Sequence, residues 1–503
     1  MLEFLSAFLR ALTPGVLIWI VVGVIAGVAV GSIPGLTATM TVAVLIPFTF
    51  GMDPLSGISM LLGIYIGALY GGSISACLVR IPGTPSAVMT ARDSYPMARK
   101  GEAGKALAYS AYASFMGSIF GVIVLIVLAQ AISRISLKFG PAEMFAVAVW
   151  GLASISDLTG EDLVKGIISA LIGLLIGTIG VDPVTGIPRL TFGQIALLNG
   201  IDFIPIMIGL FGISEVLRQA RAARLSEEVP KKVGDIRLSL REMIKVLPTI
   251  IRASFIGMWV GVLPGATGGA MASVMAYEYE QKRDRDPKRF GTGVPEGICA
   301  SEAANNASIG GNLVPLLTLG VPGDTVTAML IGAFMIHGLQ PGPMLFKNSA
   351  DLVYAIYASL LIASAIMFII GLYGARYFAR IISFPLNRLI PAIALLCLTG
   401  TYAVNGNMFD IAVMILFGLI GYFMEARNIP LPPMIMGIVL GPMAEFNLRT
   451  ALKTFHNDWT VFFTRPYVVF FWVLIVLMVL GPRVNWKKLL GIFQKNKERA
   501  VNP

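Results

Sequence analysis

The chain has 503 residues, of which 56% are hydrophobic and 13% charged, and a formal net charge of +10. Apolar runs recur from residue 14 to residue 482, which excludes a soluble globular class and defines a polytopic membrane protein. The positive charge does not call for nucleic acid, because Lys and Arg cluster between the apolar runs, where the positive-inside rule places cytoplasmic loops.

Residues 2–12 read as a short interfacial helix, and MLEFLSAFLRALTPG has neither the basic start nor the small-residue cleavage site of a removed signal peptide. In 14–50, GVLIWIVVGVIAGVAVGS leads into IPGLTATM, so Pro34 and Gly35 stand inside an apolar run; few charges flank it, which puts both ends outside. Residues 57–91 cross once, break at Ile81, Pro82 and Gly83, and end at the basic ARDSYPMARKGEAGK. Apolar segments at 106–133, 141–156, 163–180 and 194–213 follow. From Glu215 to Leu247 runs the longest polar stretch, rich in Lys and Arg, read as a cytoplasmic linker.

Beyond it, 248–280 holds Pro264 and Gly265 between two arms of about 15 residues, too short to cross a hydrocarbon core about 30 Å thick. Since the basic QKRDRDPKRF closes it, both ends face the cytoplasm and the segment reads as a re-entrant hairpin. Residues 296–338 cross with a break at Pro322 and Gly323. Segments at 352–374, 389–405, 408–424, 430–446 and 466–482 then bring the basic tail into the cytoplasm. One loop departs from this topology: 447–466 falls outside yet carries Arg449, Lys453 and Arg465.

Two motifs repeat in the same order. GSIPGLT is matched by GVLPGAT, with prolines at 34 and 264, and GGSISACLVRIPGTPSA by GGNLVPLLTLGVPGDTVTA, with prolines at 82 and 322. The expected fold is therefore an all-α polytopic membrane protein of two inverted-topology repeats, each with a hairpin and a broken helix meeting near the bilayer midplane. Its divisions are 1–214, the linker 215–247, 248–482 and the cytoplasmic tail 483–503.

Proline and glycine leave peptide groups that lipid does not satisfy. Helix N-termini at such breaks attract anions and freed carbonyls attract cations, an arrangement suited to a carboxylate carried with a monovalent cation. Polar residues flank every break: Thr37, Thr39 and Thr41; Thr84 and Ser86; Thr267; and Asp324, Thr325 and Thr327. Hydroxyls coordinate Na+ or donate to a carboxylate at low desolvation cost, and in hydrocarbon they also join helices.

Arg80, beside a break, reads as a counterion for a substrate carboxylate, as a partner of Asp53 or Glu302, or as a snorkelling side chain. Asp324 reads as a cation or proton site or as the cap of the next helix. Asn305 and Asn306 face different sides of one helix, so one lines the site and the other holds the helix. Cys77, Cys299 and Cys397 are far apart and read as small core residues; with only two histidines and no CxxC or HExxH, no metal centre or cofactor is expected.

GSIPGLT, LVRIPGTPSAV with SYPMARKGEAGKA after it, and EAANNASIGGNLVPLLTLGVPGD with GLQPGP after it resemble the large permease subunit (TctA-type) of the tripartite tricarboxylate transporters, over roughly residues 14–480. The resemblance implies a bacterial inner-membrane carrier working with a small membrane subunit (TctB-type) and a periplasmic substrate-binding protein (TctC-type). It would import carboxylates, such as citrate, C4-dicarboxylates or aromatic acids, on a Na+ or H+ gradient. Kinship with elevator-type carriers implies a homodimer as well. Carried over residue by residue, the motifs point to Pro34, Gly35 and Thr37; Pro82, Gly83 and Thr84; Pro264, Gly265 and Thr267; and Pro322, Gly323 and Asp324, with transient Na+ at Thr37, Thr267 and Asp324. The family pattern places Asn before IPGTP, where this chain carries Arg80. No GxxxxGK[ST] occurs, so transport would be secondary. The alternatives are an anion channel on the same repeat and a membrane-embedded enzyme; the latter lacks HExxH, GxSxG or paired intramembrane aspartates.

Overall fold

The computed structural model describes residues 2–155, 162–221, 234, 236–265, 268–382 and 389–480. Among these the chain is helical almost throughout, the exception being a two-residue antiparallel pairing of Gly180–Val181 with Pro188–Arg189. Among the described residues seven helices are long and apolar enough to cross a membrane, so the protein is a multi-pass membrane protein.

Local chemistry sets where the main helices begin. Asp53 accepts the backbone N–H groups of Leu55 and Ser56 and Pro54 opens the first turn, starting the 26-residue helix Pro54–Val79. Ser239 and Glu242 form a capping box that starts Leu240–Val262. Leu2–Ala11 is helical as expected and packs on Ala350–Ile381.

Glycines four residues apart bring three pairs of helices into backbone contact. Gly23, Gly27 and Gly31 of Pro14–Gly31 lie against the backbone of Met60, Ile64 and Ala68 in Pro54–Val79. Gly257 and Gly261 of Leu240–Val262 lie likewise against Ala304 and Ser308 in Pro295–Leu319. The latter helix is gripped on another side by Gly117 and Gly121 of Ala103–Ser136, facing Ala303 and Ala307. Without a hydrophobic drive between helices in lipid, such close approach is what holds them together. Pro54–Val79 and Pro295–Leu319 are buried along almost their whole lengths.

The structure revises several boundaries. No helix covers 194–213: the chain after Leu163–Gly177 makes the short strand pairing and loops, and a helical stretch runs from 203 to 221, past the assigned start of the linker. The arm before Pro264 begins at Leu240 and is 23 residues long, about 35 Å, because a capped polar turn extends the apolar run. The arginines of 447–466 are each matched by a carboxylate: Arg449 by Asp182 at 2.5 Å and Glu445 at 3.2 Å, and Arg465 by Glu143 at 2.5 Å. Residues 222–233 and 235 of the linker and the tail 483–503 lie outside the described residues.

Candidate functional site

Each of the four breaks ends one helix and starts another. After Pro14–Gly31 the chain turns through Gly35, at φ +96, and Thr37 caps Ala38–Leu45 by accepting the Met40 N–H at 3.1 Å. After Pro54–Val79, the Gly83 N–H donates to the Gly72 carbonyl at 3.3 Å, and Thr84 precedes the turn Pro85–Ala87 and the helix Val88–Met97. After Leu240–Val262, the Gly265 N–H donates to the Gly323 carbonyl at 3.1 Å, joining the break at Pro264 to the break at Pro322, and Gly268 leads into Gly269–Arg283. After Pro295–Leu319, Asp324 and Thr327 cap Thr325–Ile336.

The four new helices start around one shared cavity of about 680 Å³, lined in part by Thr37 and Thr39, Thr84 and Ser86, Gly269, and Asp324 and Thr325. Thr39 and Thr325 hydroxyls stand 2.9 Å apart across it. Thr84 and Ser86 hydroxyls are 3.0 Å apart. The Asp324 carboxylate uses one oxygen to accept the Thr327 N–H at 2.8 Å and the other to accept the Tyr65 hydroxyl at 2.5 Å; Tyr65 in turn accepts from the Asn312 amide at 2.9 Å. Asp324 is thus a helix cap that also faces the cavity.

Pro34, Pro82, Gly83, Pro264, Gly265, Pro322 and Gly323 form the turns behind this lining, and Thr267 lies outside the described residues. The adjacent asparagines have different neighbours, but neither is in the cavity lining. Asn306 holds the helix, donating to the Glu302 carbonyl at 3.1 Å and accepting from Ser118 at 3.4 Å. Asn305 is fully buried with its oxygen where a β-carbon on Gly269 would stand, and neither of its amide atoms is hydrogen-bonded.

Arg80 is not in the cavity. It ends its helix in the left-handed conformation, φ 59, and its exposed guanidinium lies 5.8 Å from the Tyr95 ring centre. Asp53 caps a helix and Glu302 is held by hydroxyls, so neither pairs with it. The reason is positional: counted back from the prolines of the two breaks, Arg80 corresponds to Gly320, also left-handed at φ 74. Gly or Asn suits that C-terminal position, whereas Arg80 is a side chain that rarely adopts it.

The cation at the cavity is Arg218. It grips Glu215 with two hydrogen bonds, 2.7 and 2.5 Å, and donates to the Gly35 carbonyl at 3.1 Å. Glu425, Asn428 and Pro430 add a further wall. The sequence signals were an acid–base pair three residues apart continuing an apolar run, and the cluster NIPLPP between two others.

Fold and site define a polytopic helical membrane protein with an open cavity, mixed polar and apolar in its lining, at which broken helices resume. The chain matches the tripartite tricarboxylate transporter TctA family over residues 17–436 and belongs to it, so it is a membrane component of that transport system, from a family of transporter components rather than enzymes. It is similar to an Agrobacterium vitis "uncharacterized 52.8 kDa protein in TAR-I ttuC' 3'region", 38% identical over 459 residues and 91% of each chain. A second Agrobacterium vitis protein, from the TAR-II ttuC' 3'region, is 34% identical over 235 residues, 46% of this chain and 97% of its own length. No solved structure matches the chain.

Proposed function

We propose that this chain is the large permease of a secondary carrier that imports carboxylates, with citrate, C4-dicarboxylates and aromatic acids as the substrate classes, coupled to Na+ or H+. The observation that carries this reading is the convergence of four helix N-termini on one cavity. Each presents the positive end of a peptide dipole to an anion. Thr37, Thr39, Thr84, Ser86 and Thr325 add hydroxyls for carboxylate or Na+.

Charge supports coupling. Glu215, Glu425 and Asp324 outnumber Arg218 at the cavity, so a carboxylate substrate enters at low electrostatic cost only with cations beside it. Thr37 and Asp324 offer oxygens for such a cation.

The paired motifs, and the glycine contacts that join each hairpin arm to its broken helix, support two inverted repeats and an elevator-type movement. On this reading the protein sits in the bacterial inner membrane as a homodimer with its C-terminus cytoplasmic, and a small membrane subunit and a periplasmic binding protein complete the carrier. Uptake of radiolabelled citrate, succinate and benzoate into proteoliposomes holding all three components tests it. Accumulation driven by an imposed Na+ or H+ gradient is the expected result. Flux that only equilibrates, or that needs no binding protein, would favour a channel.

A further inference from the structure

Glu302 lies one helical turn before Asn305 on Pro295–Leu319 and is fully buried. Its Oε1 accepts the Thr90 hydroxyl at 2.5 Å and its Oε2 accepts the Ser114 hydroxyl at 2.8 Å. The Thr90 hydroxyl is also hydrogen-bonded to that of Ser301. Three helices thus build a cradle of hydroxyls, and no cation among the described residues enters it. An ionised carboxylate buried without a cation carries a large desolvation cost, and taking up a proton relieves it.

The groups on the surrounding elements leave Glu302 alone in this role. From Pro54–Val79 the Tyr70 phenol interacts with it electrostatically, and from its own helix the Cys299 thiol. Cys77 donates to the Ser94 carbonyl. On Val88–Met97, Asp93 is occupied by the N–H groups of Gly291, Gly293 and Val294 at 2.9 Å and by the Tyr277 hydroxyl at 2.6 Å. On Gly269–Arg283, Glu280 is paired with Arg252 of Leu240–Val262 at 2.7 Å. Ala103–Ser136 contributes the hydroxyls of Ser110 and Ser114, Ser110 being 2.6 Å from Ser73.

A hydroxyl is one donor and two acceptors on a free rotor. With Glu302 ionised, Thr90 and Ser114 both donate to it. With the proton on Oε1, that new O–H donates to Thr90, whose own hydrogen swings to Ser301. Both charge states are satisfied with no heavy atom moved.

The cradle also adjoins the cavity. Ser86 and Gly269 line the cavity, and Asn305, with both amide atoms unpaired, stands against Gly269. One turn inward from Ser86 is Thr90, and one turn inward from Asn305 is Glu302, so two neighbouring helices carry polar groups from the wall to the carboxyl.

We propose that Glu302 is a proton-binding residue of the transport cycle, exchanging its proton with cavity water past Asn305, so that H+ is a coupling ion. This rests on the carrier reading and extends it. In the step, a proton from water adds to Oε1 and the reverse step returns it; nothing is oxidised or reduced.

Two measurements test it. In the first, infrared difference spectra of the purified subunit are recorded across about pH 4 to 10. They should contain an un-ionised carboxylic acid band, titrating with pH, that is missing from Glu302→Gln and shifted in its titration in Thr90→Val. Spectra of Glu302→Gln identical to wild type would overturn the proposal. In the second, the three-component proteoliposomes are given a pH gradient without Na+. Wild type should accumulate citrate, succinate or benzoate with proton uptake, whereas Glu302→Gln, folded as judged by its melting curve, should only equilibrate it. Wild-type accumulation and proton uptake by Glu302→Gln would overturn the proposal. A titrating band lost in Glu302→Gln, with no accumulation by wild type under any gradient, would uphold the proton site and refute the carrier reading.

Discussion

The hydroxyls of Thr39 and Thr325 lie 2.9 Å apart, tying the helix that follows Pro34 and Gly35 to the helix that follows Pro322 and Gly323. These residues are 286 apart in sequence, and the bond links the first hairpin directly to the second broken helix. Replacing either with Val keeps the shape and removes the bond. A double-mutant cycle on substrate affinity should give a coupling of about 1 kcal/mol, about fivefold. Strict additivity would show that the two hydroxyls do not act together.

Arg218 holds Glu215 and Gly35 at once. Arg218→Gln leaves the Glu215 charge with the Gln219 amide alone, 2.6 Å away, so both melting temperature and uptake should fall, with a stability loss of about 1 kcal/mol for a pair whose arginine is half-exposed. Pairing it with Glu215→Gln removes the stranded charge. The double variant should regain stability yet transport at least about tenfold less than wild type, because the cavity then has no guanidinium. Full uptake by the double variant would make Arg218 a structural residue only.

Arg80 carries a bulky side chain at φ 59, where L-residues are strained. Arg80→Gly should raise stability by about 1 kcal/mol in thermal melts and leave uptake unchanged, since the guanidinium faces away from the cavity. Lost uptake in a stable Arg80→Gly protein would restore the counterion role.

Outside the membrane-spanning segments, Asp182 accepts from Arg449 and from the N–H groups of Val184 and Thr185. The Arg449 hydrogen bond above all holds its carboxyl well below the ordinary carboxylate value. A depressed folded value means that its stabilising effect is complete above the unfolded value of about 3.9 and fades as pH falls below that. The protection factors of residues 180–189, taken relative to the intrinsic exchange rate at each pH, should therefore fall on acidification below about pH 4, and those of Asp182→Asn should be low at every pH. Equal protection at neutral pH in wild type and variant would contradict this.

The four breaks were legible because Pro beside Gly in an apolar run is a local signal with one physical meaning in lipid. With them came one polar part of the cavity wall: Thr37, Thr39, Thr84, Asp324 and Thr325. Less legible was whatever depends on how a helix ends. The helical stretch continuing to Arg221 looks like a charged linker, since its last turns are polar by composition, and only packing against Gly35 shows that Glu215 and Arg218 face inward. Arg80 misled because residue type announces a charge, whereas its place is set by a left-handed φ; the matching Gly320 held the clue. The segment expected at 194–213 becomes a helical stretch only from 203, because Asn199, Gly200 and Asp202 interrupt the short apolar run before it.

The central claim is that the four helix N-termini surround the substrate. It is tested most directly by placing a single cysteine at Thr39 and measuring its alkylation by a membrane-permeant maleimide with and without transported carboxylate. The three native cysteines are buried, so the background is low. Protection that rises with carboxylate concentration and saturates, with no protection by a carboxylate that is not transported, is the predicted result. Alkylation at the same rate with and without saturating substrate would contradict it and move the binding site elsewhere.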